Sequence, residues 1–391
     1  MLGNDVIEKI RKYRVYEQLV LLASRYELQE KEISYMNELV RRYDMDWSAF
    51  LGCAMLNRVN GVVYRNIKDI ANIPKYVKYF LQIAYFEQQE RTKIHQDEIK
   101  KIAEVFENEN IKYAFLKGAV LNTIFYKNGD RISNDTDMMV DAADIDKVTK
   151  VLQNLGYVQG EVREGKLHPA TKKEILFSRL NTYEIVPFNK PVDERYLPFH
   201  EIDINFRLSN DDAQESASIM LENTIVLNNI KYNIRTLSLE YFLTFLCIHH
   251  YREATMIFKI VSGNDLTLYK FMDIHFLISS KYREIDWERL LDICRTLGRQ
   301  KDVYYTLYHT EMLYPNTLDE AILEKFKPEN IDFLNEYKGR DNSQESYKWE
   351  LDFVHRVFSN ERRLEAMKNI ADENGRYKEI RHYLERGIES K

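Results

Sequence analysis

The chain has 391 residues, 45% of them apolar and 30% charged, which is material for a sizeable core of two or three domains and excludes a disordered tail. Thirteen glycines and seven prolines fall well under half the usual combined share of about 12%, which argues for long helices and against a β-sandwich, a propeller or a low-complexity architecture. Sixty-two acidic against fifty-six basic residues leave a net charge of −6, the wrong sign for a dedicated duplex binder, whose affinity rests on neutralising phosphates.

Up to about residue 108 the pattern is helical throughout. YEQLVLLASRYEL and DWSAFLGCAMLNRVNGVVYRNI repeat apolar residues at three- and four-residue spacing, with Asp46 placed to cap the second. The stretch KYVKYFLQIAYFEQQERTKIHQDEIKKIAEVFENEN continues as one or two long helices. The pattern changes at residue 111. IKYAFLKG reads as a short strand closed by Lys-Gly, AVLNTIFYKNGD as a helix ending near Gly129, and RISNDTDMMV as a second strand. DAADIDKVTKVLQNLGY begins with acidic caps, Asp144 among them, and stops at Gly156. Residues 174–189 and 200–208 read as further strands, HEIDINFRL showing the clearest alternation. After about residue 237 amphipathic helices return. The predicted class is α+β: a small mixed-sheet core over residues 109–236, flanked by helical regions over 1–108 and 237–391.

Cys53, Cys247 and Cys294 are too few and too scattered for a disulfide framework or a zinc cluster, and each sits among apolar neighbours as a buried thiol would in a reducing compartment. The N-terminus lacks the apolar core of a signal peptide, and no run approaches the ~20 apolar residues of a membrane span. A soluble cytoplasmic protein without a membrane partner is expected.

Asp135 and Asp137 carry the strongest chemical signal. In a strand, residues two apart face the same way, so both carboxylates point to one side and suit a pair of divalent cations about 3.5–4 Å apart. Mg²⁺ or Mn²⁺ needs only a few carboxylate oxygens besides water and substrate phosphates. The strand EIDINFRL supplies a third carboxylate. Ile202, Ile204 and Phe206 are its core face, so Glu201, Asp203, Asn205 and Arg207 share the polar one, and parity does not choose between Glu201 and Asp203. The second acidic pair, Asp144 and Asp146, opens a helix, where acids offset the positive end of the dipole. Lys117 and Gly118 sit where a strand gives way to a helix, a place that favours anions. His249, His250, Lys259 and Lys270 lie on C-terminal helices, where ordinary packing is the default reading.

The run LKGAVLNTIFYKNGDRISNDTDMMV, then a helix ending in LGY, then EIDINFRL, resembles the uncharacterised nucleotidyltransferase family of the polymerase-β-like superfamily. The motif positions fall on Lys117 and Gly118, Tyr126, Arg131, Asp135, Asp137, and Asp203 ahead of Phe206. Gly118 is followed by Ala119 where most of the superfamily has serine, and Asn205 stands where the family often has histidine. The resemblance implies Mg²⁺-dependent transfer of an NMP from an NTP, ATP foremost, to an acceptor hydroxyl. It also implies that Asp135, Asp137 and Asp203 would hold the metals and perform the catalysis, and that Lys117, Gly118 and Arg131 would bind the nucleotide. The acidic balance favours a small molecule or polypeptide as acceptor over long nucleic acid. The rival readings are an RNA-end (tRNA) nucleotidyltransferase or toxin-like enzyme, and a nucleotide-binding protein without turnover.

Overall fold

In the computed structural model, which describes residues 5–209, 216–228, 232–339 and 346–370, the N-terminal region is helical, as its periodicity requires. It comprises α1 (Asp5–Ile10), α2 (Val15–Ala23), α3 (Glu30–Leu39), α4 (Trp47–Leu56), α5 (Asn60–Ile67) and α6 (Lys75–Asn108). Asp46 caps α4, its Oδ1 accepting the Ala49 N–H at 2.9 Å. Between α4 and α5 the chain turns at Arg58, whose φ of +55° is left-handed and breaks what the pattern reads as one helix.

The core region contains β1 (Tyr113–Phe115), α7 (Lys117–Ile124), β2 (Thr136–Val140), α8 (Ile145–Asn154), β3 (Val158–Arg163), β4 (Lys166–Pro169), α9 (Lys172–Asn181), β5 (Phe188–Glu194), β6 (Leu197–Asn205), α10 (Ser216–Leu221), β7 (Thr224–Asn228) and β8 (Asn233–Leu237). The strands form one mixed sheet in the order β4-β3-β5-β6-β2-β1-β8-β7. β2 runs parallel to β6 and antiparallel to β1, and β1 runs parallel to β8.

Three local expectations are corrected. Most of the first half of residues 174–189 is the helix α9 rather than strand, because Thr171 and Glu174 form a reciprocal capping box: the Thr171 hydroxyl accepts the Glu174 N–H at 3.3 Å and Glu174 accepts the Thr171 N–H at 2.7 Å. That local start signal outweighs the strand propensity of the residues after it, and strand begins only at Phe188. The helix after Gly118 ends at Ile124, short of Gly129, because Tyr126 turns inward and donates to Asp273 at 2.9 Å. Asp144 makes no capping bond; Asp141 caps the 3₁₀ turn ahead of α8 by accepting the Ala143 N–H at 2.9 Å.

The C-terminal region comprises α11 (Leu239–Thr255), α12 (Ile257–Ser262), α13 (Leu268–Lys281), α14 (Trp287–Thr296), α15 (Gln300–Leu313) and α16 (Glu320–Phe326), a two-stranded ribbon β9 (Glu336–Lys338) and β10 (Ser346–Lys348), then α17 (Phe353–Phe358) and α18 (Glu361–Ile370). The architecture is the α+β arrangement of a mixed sheet between helical flanks. One continuous apolar core runs from Val6 through the sheet to Val357, so both flanks are welded to the sheet. Met138, Ile202 and Ile204 are fully buried in it. Each contributes roughly 1.5–3 kcal/mol by leaving water, and a one-residue slip of β2 or β6 forfeits that burial, which pins their register. All three cysteines are free thiols; Cys247 and Cys294 are buried, whereas Cys53, expected to be buried, is partly exposed on α4. Among the described residues no helix is long and apolar enough to cross a membrane.

Candidate active site

The parallel pairing of β2 with β6 sets Asp137 opposite Asp203 and Thr136 opposite Ile202. Neighbouring strands lie about 4.8 Å apart, and paired residues of parallel strands point to the same side. Asp137 and Asp203 therefore share one face of the sheet, and Ile202, Ile204 and Met138 take the buried other. Asp135 lies just before β2, two residues from Asp137, and Glu201 two residues before Asp203. Sequence reasoning missed one further carboxylate. Glu184 forms an isolated bridge with Asn205, held by the Ile185 N–H on the Ile204 oxygen at 3.1 Å. The short alternation Tyr183-Glu184-Ile185 was its only signal.

Crowding these acids has an electrostatic cost. Burial raises the Asp137 carboxyl, Lys117 draws it down and Asp135 lifts it again, leaving it above the usual carboxylate range. Burial, then repulsion from Asp135, Glu184, Asp137 and Glu201, pushes Asp203 well above the usual carboxylate range. Glu201 is raised chiefly by burial, although it accepts a hydrogen bond from Asn189 Nδ2 at 3.1 Å.

Lys117 opens α7 with a φ of +40°, a left-handed conformation that is strained for a side-chain-bearing residue. Its Nζ lies 2.6 Å from Asp137 Oδ1. Burial alone lowers the pKa of this ammonium, but Asp137, Glu253, Asp135 and Glu184 more than reverse that, so Lys117 stays charged. Gly118 is required for a reason the sequence did not show. A Cβ there would come within 2.3 Å of Ser133 Oγ and 2.6 Å of an Arg131 guanidinium nitrogen, so its bare Cα lets α7 dock on the loop ahead of β2.

Arg131 lines the cleft, yet its guanidinium is already engaged. Nε donates to Asp273 Oδ1 and Nη2 to Oδ2, both at 2.8 Å, and Nη1 donates to the Ile132 oxygen at 3.2 Å. This buried fork ties the loop before β2 to α13. Removing one partner of such a pair costs about 3–5 kcal/mol, so Asp273→Ala is expected to lower the denaturant midpoint by that equivalent. An unchanged midpoint removes the strap.

Behind β2, Thr136 Oγ1 lies 2.9 Å from His200 Nε2, and His200 Nδ1 lies 2.8 Å from the Tyr157 hydroxyl. Tyr157 donates to Glu98 Oε2 at 2.9 Å, and Lys190 and Lys101 hold that carboxylate. Burial keeps His200 neutral, so one tautomer satisfies the chain: Nδ1–H donates to Tyr157 and Nε2 accepts from Thr136. The strand segment between the two aspartates is thereby bonded from its rear face.

In front of the acidic face lies a cleft of about 570 Å³. Asp135, Asp137 and Glu201 line its sheet side, whereas Asp203 does not reach its surface as the side chains stand. Arg58 enters from the N-terminal helices, and His249, Glu253, Lys259, Tyr269 and Lys270 enter from α11 to α13. The cleft thus has one acidic wall and one predominantly basic wall. Among the described residues no three His, Cys, Asp or Glu side chains stand close enough to form a closed metal cage. The donors on the acidic wall are all carboxylate oxygens in charge excess, which suits a hard divalent cation that keeps waters and completes its shell with substrate phosphates.

No curated protein matches the chain. Among solved structures, an antigenic nucleotidyltransferase-like protein from Paracoccidioides brasiliensis aligns over 59% of this chain and 92% of its own, with 12% sequence identity and a TM-score of 0.35, a slight likeness. The model of the uncharacterised nucleotidyltransferases matches residues 43–315, a span that contains every wall of the cleft from Met55 to Lys270, and the chain belongs to that family and is a nucleotidyltransferase.

Proposed function

We propose that the chain transfers a nucleoside monophosphate from an NTP, ATP foremost, to a hydroxyl on a small molecule, peptide or protein in the cytoplasm. The single observation that carries this reading is the Asp137–Asp203 pairing on the face that adjoins the cleft. Asp135, Asp137 and Asp203 are the residues that would hold Mg²⁺ or Mn²⁺. A divalent ion there supplies Lewis-acid stabilisation of the charge that develops on the phosphoryl oxygens. Lys117 neutralises phosphate charge at the start of α7, where the exposed N–H groups also favour anions. Asp203, opposite Asp137 in the strand register, takes the proton of the acceptor hydroxyl as general base. The acceptor oxygen bonds to the α-phosphorus, the bond from that phosphorus to the β-phosphate bridging oxygen breaks, and pyrophosphate leaves with the electron pair.

The test incubates the protein with each labelled NTP, Mg²⁺ or Mn²⁺, and separate small-molecule, protein and RNA fractions of a cell extract. Mass spectrometry then identifies the labelled product. Label in the first two fractions with release of pyrophosphate supports the proposal. Label confined to RNA ends transfers the reading to an RNA-end enzyme, and nucleotide binding without product marks a non-catalytic binder. Lys117→Ala is expected to weaken NTP binding by about 1.5–3 kcal/mol, measured by calorimetry. Unchanged affinity reduces Lys117 to a counter-ion of Asp137.

A further inference from the structure

Among the described residues, five basic side chains line the cleft, Arg58, Lys117, Arg131, Lys259 and Lys270, and they differ in how many donors they have left. Lys117 is tightly paired at 2.6 Å with Asp137 on the acidic wall itself, and Arg131 gives three of its five N–H groups to Asp273 and the Ile132 oxygen. The Lys270 ammonium has an acceptor for each of its three protons: Glu253 Oε2 at 2.7 Å, the Asn264 oxygen at 2.9 Å, and the Asp265 oxygen. Lys259 stands away from the acidic wall, on α12. Among the described residues its Nζ meets one acceptor, Glu253 Oε1, at a loose 3.3 Å, and the side chain is 28% exposed. Arg58 has no carboxylate partner among the described residues; its guanidinium faces the Tyr269 ring 5.7 Å from the centroid.

Both side chains are held in place by the surrounding fold. The strained left-handed backbone of Arg58 follows Asn57, whose side-chain oxygen accepts the Leu268 N–H at 2.9 Å and whose backbone oxygen accepts the Tyr269 N–H at 3.2 Å. The turn between α4 and α5 is thus fastened to the start of α13, and strain kept this way marks positions where a side chain is aimed. On the other flank, buried Glu253 gathers Lys259, Lys270 and, at 3.0 Å, His249 Nε2.

We propose that Arg58 and Lys259 grip the β- and γ-phosphates of the nucleotide, with Glu253 as the positioning residue for Lys259. This rests on the nucleotidyl-transfer reading above and deepens it. A triphosphate whose α-phosphorus lies at the acidic wall directs its remaining charge away from those carboxylates, and Arg58 and Lys259 are the loosely held cations that stand on the helical flanks. The planar guanidinium of Arg58 matches two phosphate oxygens, and Lys259 adds a point charge. Arg58 belongs to the N-terminal flank and Lys259 to the C-terminal one, so a bound tail bridges the two across the cleft.

The test titrates the full chain with inorganic tripolyphosphate, an NTP and the matching NMP by calorimetry, with circular dichroism confirming the fold of each variant. Arg58→Gln and Lys259→Gln are each expected to weaken tripolyphosphate and NTP binding about tenfold or more while leaving NMP binding unchanged. Lys259→Arg is expected to restore most of the loss. Glu253→Gln is expected to raise KM for the NTP with little change in kcat, a split that general destabilisation does not produce. The grip is overturned if wild-type protein has no affinity for tripolyphosphate, or if both folded glutamine variants bind it as wild type does. Product formation separates the two readings: unchanged binding in variants of an active enzyme defeats the grip alone, and lost binding in a chain that makes no product defeats transfer alone.

Discussion

Asp135→Asn and Asp137→Asn are each expected to reduce nucleotidyl transfer by at least about 10³-fold, equivalent to roughly 4 kcal/mol of transition-state stabilisation. Both changes keep the side chain's shape and remove the charge that a divalent cation needs. They differ in a way that makes the pair informative. Asp137 also neutralises Lys117 at 2.6 Å, so its replacement leaves a buried ammonium without its closest partner and is expected to lower the thermal midpoint as well. Lys117 Nζ bonds to Asp137 and not to Asp135, so the Asp135 variant isolates the loss of chemistry. Pyrophosphate release measures activity, and circular dichroism measures the fold. Asp144→Asn, at a position without a capping bond, is the control expected to change neither. Near-normal turnover in Asp135→Asn sinks the metal-site reading.

Asp203→Asn is expected to lose about 10²–10⁴-fold in turnover while still binding NTP, the magnitude of a missing general base. It is also expected to make the metal-free protein more stable at neutral pH. The sign follows from linkage. The Asp203 carboxyl is raised well above 3.8 in the folded chain, so across the interval from 3.8 upward the folded state holds a proton that the unfolded state has released. Stability therefore falls as pH rises through that interval, and asparagine, which has no proton to lose, removes the penalty. The gain in melting temperature is expected at about pH 8 and is expected to vanish below about pH 4, where the aspartate is protonated in both states. Glu201→Gln is expected to do far less to turnover, although Glu201 lines the cleft and Asp203 does not. Its carboxylate is tied to Asn189 and stands one residue pair away from the Asp137 register. An inactive Glu201→Gln beside an active Asp203→Asn reverses the assignment.

Features whose cause is local are legible in the amino-acid sequence. Side chains alternate across a strand every two residues, so Asp135 and Asp137 on one side, and Ile202 and Ile204 on the other, follow from spacing alone. The Asp46 cap and the helical flanks follow equally from short-range patterns, because a cap and its N–H lie within one turn. Misreadings arise where one short-range signal overrides another. The Thr171 and Glu174 capping box converts a strand-like stretch into α9, and Asp141 rather than Asp144 is the acid in capping geometry.

The site's charge pairing is not legible in this way, since partners distant in the chain meet only when helices pack. Arg131 carries the motif position of a nucleotide ligand, and two of its five N–H groups are taken by Asp273, 142 residues away. Lys259 and Lys270 look equivalent as helical lysines, and packing separates them by giving Lys270 three acceptors and Lys259 one loose ion pair. Glu184 joins the acidic face only through a bridge to Asn205, and Arg58 reaches the cleft only because Asn57 is bonded to the start of α13. Local pattern specifies which groups a segment presents and on which side. How many of their hydrogen-bonding and charge valences remain free for a substrate is a property of the packed whole, because each is consumed or spared by residues that the chain brings near only on folding.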